Sequence, residues 1–235
     1  MIHTNRRQFI WHLNKMDTIS SLALCASDVY QDDDPAEFLK YVDKIESKNV
    51  RAMTYLYKGS QVIAFRGTRK WSMSDLITNM SVFPVYCNVM QTYVHVGFLK
   101  YTKSICPELV QKIDVSSGTI FVCGHSMGGS IALLFSYYLM SLYPDLNVTL
   151  CTFGQPRTLF KSPPKRARLT YYRISHDNDP ITYIPPFYTG YIHTENHLRL
   201  NLGTSTNQSC YLWLTSILQN RHCMKSYIDI ICKEL

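Results

Sequence analysis

The sequence predicts an α/β fold with a largely parallel central sheet flanked by helices, and three observations carry that expectation. Short apolar runs that read as buried strands, at residues 119–123, 146–153 and 169–174, alternate with longer stretches of helical spacing. Such alternation implies parallel pairing through right-handed crossovers. The second observation is size: 235 residues, 46% of them apolar and 17% charged, suffice for one substantial core. No repeat or long linker divides the chain, so residues 1–235 are expected to form a single domain. The third is a strand, tight turn and helix in direct succession around Gly124-His125-Ser126-Met127-Gly128-Gly129.

Taken in order, residues 18–30 place apolar side chains at helical spacing until Asp32-Asp33-Asp34-Pro35 breaks the pattern, which predicts a first amphipathic helix. Residues 52–57 and 62–65 flank Lys58-Gly59-Ser60-Gln61 and read as a β-hairpin. Its second strand delivers Arg66-Gly67-Thr68 to a carboxyl edge, where open α/β sheets bind ligands. Residues 69–91 mix Trp71, Met73, Leu76, Ile77 and Phe83 with polar residues, a composition suited to a short helix and loop lying over that edge. A helical stretch broken at Pro107 follows Phe98. Pro144 ends the helix after Ser126. The strand at 169–174 runs out into Ser175-His176-Asp177-Asn178-Asp179-Pro180, and residues 224–235 read as a final helix with Tyr227, Ile228, Ile230 and Ile231 inward.

Ser126, with glycines two residues before and two after it, fits a nucleophile elbow, in which a sharp turn lifts the hydroxyl above the sheet edge. The following helix presents its N-terminus to negative charge developing there. A serine in a glycine-rich turn can also be a simple helix cap. The distinction rests on whether the chain supplies a base and an orienting acid. Asp179 is the candidate acid, with Asp177 its rival, and either could instead form a turn before Pro180. Imidazole is the usual base near neutral pH. Where such an elbow is used, the chain order is nucleophile, acid, histidine, which leaves His193, His197 and His222. His222 is preferred because it lies on a loop just before the last helix, from which an imidazole can reach the sheet edge.

Composition narrows the partners. The net charge of +7 concentrates only at Lys161, Lys165, Arg166 and Arg168, a loop suited to anionic lipid head groups or plain solvent, and no nucleic-acid motif accompanies it. His193 and His197 lack the H-E-x-x-H pattern and a third ligand, so no metal site is expected. The first seventeen residues lack a continuous apolar core and a cleavage site, and no apolar run reaches about 18 residues. An intracellular chain with reduced thiols, not four disulfides from its eight cysteines, is therefore expected.

Six motifs in order carry a resemblance: Val62-Ile63-Ala64-Phe65-Arg66-Gly67-Thr68, His95-Val96-Gly97-Phe98, the Ser126 elbow, Thr152-Phe153-Gly154-Gln155-Pro156-Arg157, His176-Asp177-Asn178-Asp179-Pro180 and Ile184-Pro185-Pro186. Together they resemble the fungal-type class 3 lipases, an α/β-hydrolase group. The resemblance implies Ser126 as nucleophile, Asp179 as acid, His222 as catalytic histidine, and Thr68 with the Met127 N–H as oxyanion hole. It implies a structural role for His193, a lid within residues 69–88, and no cofactor. The implied substrate is a lipid ester, met by a monomer at a membrane or lipid-droplet surface. A phospholipase A1, a carboxylesterase and a catalytically silent lipid-binding module are the alternatives.

Overall fold

Helix α1 covers residues 17–28 and buries Ile19, Leu22, Ala23, Cys25 and Ala26 along one stripe, as the apolar spacing predicts. The computed structural model describes residues 17–31, 40–47, 50–67, 83–176, 179–194, 198–200 and 222–234. Strands β1 (Lys40–Ser47), β2 (Val50–Tyr57) and β3 (Ser60–Phe65) open the sheet as antiparallel neighbours. The β2–β3 turn needs only Lys58 and Gly59, both at positive φ (50° and 77°), the backbone a two-residue hairpin turn demands.

Next comes a two-stranded hairpin, β4 (Pro84–Cys87) with β5 (Thr92–His95), so this end of the expected lid region is strand, not helix and loop. Pro84 is tolerated because it is the first residue of its strand. Helix α2 (Val96–Gln111) runs through Pro107 and is not broken there. One lost backbone hydrogen bond is outweighed by burial of Phe98, Leu99, Ile105, Cys106 and Leu109 on its inner face. Each such side chain contributes roughly 1.5–3 kcal/mol.

The chain then alternates as expected. Strand β6 (Thr119–His125) leads into helix α3 (Met127–Leu142), β7 (Asn147–Phe153), β8 (Leu169–His176) and β9 (Leu198–Leu200), and helix α4 (Met224–Glu234) ends the described chain. The seven-stranded sheet has the order β1-β2-β3-β6-β7-β8-β9, parallel from β3 onward. Helices α2 and α3 cover one face, around Phe65, Phe98 and Phe135. Helices α1 and α4 cover the other, around Tyr55, Phe153 and Tyr227. Six cysteines, Cys25, Cys87, Cys106, Cys123, Cys151 and Cys223, are free thiols. No described helix is long and apolar enough to cross a membrane.

Candidate active site

The parallel strands β6, β7 and β8 end side by side, and the loops past their carboxyl ends build the site. Ser126 stands between β6 and α3 at φ 57° and ψ −129°, a sparsely populated region that costs about 1–3 kcal/mol. Its amide donates to the Phe153 carbonyl of β7 at 2.9 Å, and its carbonyl accepts from Gly129 N–H at 2.9 Å, so the turn is pinned on both sides. Gly128 is required by close approach: a Cβ there would lie 2.2 Å from the Phe65 carbonyl oxygen. The elbow helix therefore sits directly on the end of β3. Ser126 does not cap α3 through its side chain; its Oγ is buried and has no hydrogen-bond partner among the described residues. Met127, buried, is the first residue of α3, where backbone amides point out of the helix.

Asp179 follows β8 and is fully buried. Its backbone and side chain form the turn expected of an aspartate before proline, with Oδ1 accepting from Ile181 N–H at 2.9 Å. The same carboxylate accepts from His222 Nδ1, at 2.9 Å for Oδ1 and 2.8 Å for Oδ2. A further donor is Tyr227 of α4, whose hydroxyl lies 2.5 Å from Oδ2. Burial alone would raise the Asp179 pKa, but the His222 charge and the hydrogen bonds from His222 and Tyr227 outweigh it and hold the carboxyl below the ordinary carboxylate range. Asp179 is thus an anion at neutral pH. With Nδ1 committed to Asp179, His222 keeps a buried Nε2 without a hydrogen-bond partner among the described residues.

His193, the rival base, is used elsewhere: its Nε2 donates to the Thr182 carbonyl at 2.7 Å. That bond braces the turn after Asp179. His197, Asp177 and Thr68 lie outside the described residues, as does most of the expected lid. No cluster of His, Cys, Asp or Glu suited to a metal occurs among the described residues.

Gly154, quoted above only as part of a motif, proves to be a wall of the site. It adopts φ 56°, and a Cβ would stand 2.6 Å from Asp179 Oδ2 and 3.0 Å from both His222 Cε1 and Tyr227 Oη. The loop behind it is fixed by Thr152 and Tyr171 donating to Gln155 Oε1 at 2.8 and 2.5 Å. Arg157 in turn donates to the Tyr183 and Pro185 carbonyls beyond Asp179. Gly154→Ala should therefore destabilise the fold by more than about 1 kcal/mol through its positive φ. It should also slow reaction of Ser126 with a fluorophosphonate. Urea unfolding and the labelling rate check the two effects; an unaltered labelling rate would show that the wall has slack. Glycine at a turn was the sequence signal available, but its neighbours were not readable from it.

Parallel strands with helices on both faces, an elbow serine, and an acid–histidine pair at the carboxyl edge define the class of α/β-hydrolases. The chain belongs to the class 3 lipase family, whose sequence pattern matches residues 62–189. A lipase of Rhizopus niveus is 28% identical over an alignment of 179 residues that covers 71% of this chain and 44% of that protein. The chain thus spans somewhat under half the length of that curated relative. Lipase II from Rhizopus niveus superposes with a TM-score of 0.67 at 22% identity, covering 91% of this chain and 89% of that one. A triacylglycerol lipase whose catalytic centre is formed by a serine protease triad matches with a TM-score of 0.65 at 25% identity, over 80% of each chain.

Proposed function

We propose that this chain hydrolyses carboxylic esters of lipids, with triacylglycerol-like substrates foremost, through an acyl-enzyme on Ser126. The carrying observation is two buried atoms that have no hydrogen-bond partner among the described residues, Ser126 Oγ and His222 Nε2, the second on a ring already anchored to Asp179. His222 Nε2 takes the Ser126 proton as Oγ bonds to the ester carbonyl carbon. Asp179 holds the tautomer with its proton on Nδ1 and stabilises the imidazolium. The carbonyl oxygen becomes an oxyanion that the Met127 N–H and Thr68 stabilise, and the proton passes from His222 to the departing alcohol. Water, deprotonated by His222, then attacks the acyl carbon and releases the fatty acid and free Ser126.

A lipid surface as the place of action is supported by exposed aromatics that a soluble substrate would not require, among them Phe83, Phe187 and Tyr188. Turnover of emulsified triacylglycerol, phosphatidylcholine vesicles and p-nitrophenyl esters of two chain lengths tests the reading. Release of fatty acid from triacylglycerol is the expected result. Cleavage confined to phospholipid or to short soluble esters would replace the substrate class. Absence of all turnover would leave a lipid-binding module.

A further inference from the structure

One line of buried and half-buried polar groups joins segments far apart in sequence and is not used by the mechanism above. The Gly67 N–H, at the end of β3, donates to the Tyr30 hydroxyl oxygen at 3.1 Å. Tyr30 Oη lies 2.8 Å from His125 Nδ1, and His125 Nε2 lies 2.6 Å from the His222 carbonyl oxygen. The proton positions follow from the chemistry of the partners. A carbonyl only accepts, so His125 carries its proton on Nε2; its Nδ1 is then an acceptor, and the Tyr30 O–H donates to it. Burial, reinforced by the neighbouring His222, pushes the His125 pKa down to about 3, so the ring stays neutral and the direction of the line is kept. The His125 ring also packs against the His222 ring, centroids 4.5 Å apart and planes inclined by 31°.

Asp179 holds His222 only at Nδ1, a single pivot about which the imidazole could still swing. The carbonyl bond from His125 fixes the His222 backbone, and the ring contact restricts the swing of its imidazole. We propose that Tyr30 and His125 are positioning residues, which hold the base in register with the nucleophile elbow and tie both to the strand end from which Thr68 follows. The proposal rests on the ester-hydrolysis reading for its effect on turnover, and its geometry can be read without turnover. A displacement of about 1 Å in such a constellation costs on the order of a hundredfold.

Tyr30→Phe keeps the ring and deletes the hydroxyl. Its kcat on a short p-nitrophenyl ester should fall about tenfold to a hundredfold, with KM within about twofold because no substrate-binding group is altered. His125→Gln, whose amide can donate to the His222 carbonyl and accept from Tyr30, should retain more kcat than His125→Leu. The double variant Tyr30→Phe/His125→Leu should be no slower than His125→Leu alone, since both break one line. A wild-type kcat in Tyr30→Phe, or fully additive losses, would overturn the proposal.

Should the leucine variant not fold, Tyr30→Phe still decides. The low-field proton resonance of His222 Nδ1–H, recorded without substrate, should shift or broaden in that variant. If the wild type turns over no ester, the functional reading fails on its own account and the resonance alone decides the positioning role. A shifted or broadened resonance supports that role, and an unchanged one rejects it.

Discussion

Ser126→Ala should lower ester turnover about a millionfold, to the background left by binding and the oxyanion donors, and should abolish fluorophosphonate labelling. The loss should not come from misfolding, because Ser126 Oγ holds no hydrogen bond among the described residues. A buried hydroxyl without a partner costs about 1–3 kcal/mol, so the variant should be more stable than the wild type, seen as a higher midpoint in urea. Reduced activity with increased stability is the signature of a side chain kept for chemistry at the expense of the fold. Equal labelling of both proteins would remove Ser126 from the mechanism.

The second large effect is expected at Asp179. In Asp179→Asn the amide nitrogen can replace an oxygen opposite His222 Nδ1, which favours the tautomer with its proton on Nε2, the atom that must accept from Ser126. A drop in kcat of about ten-thousandfold follows. Tyr227→Phe removes one donor to the same carboxylate and leaves the His222 bond in place, so about tenfold is expected there. Measured side by side, similar losses for the two variants would mean that the Tyr227 bond, and not the charge of Asp179, orients the imidazole.

Much of the sheet could be read directly because buried parallel strands are continuous apolar runs, as at Thr119–His125 and Asn147–Phe153. Strand β1 could not. Lys40–Ser47 is an edge strand, mostly exposed, with Ile45 alone fully buried, so charged residues occupy both faces and mask the period of two. Pro107 misled for a different reason: local propensity argued for a stop, while the buried face of α2 overrode it. For the site, residue type and chain order singled out Ser126, Asp179 and His222 as candidates, and the structure brings the last two within 2.8 Å. The supporting contacts were not readable. Tyr227 with Asp179, Tyr30 with His125 and Gly154 with His222 join residues 48, 95 and 68 apart (the last as 222 − 154), and no local pattern encodes such partners.

The separation of 97 positions between His125 and His222 also sets an order of events during synthesis. A ribosome completes the elbow, its strand and its helix long before it reaches the histidine and the helix that carries Tyr227. The nascent chain therefore holds Ser126 before His222 exists, and the Asp179–His222 pair is complete only when α4, with Tyr227 against Phe153 and His176, is in place.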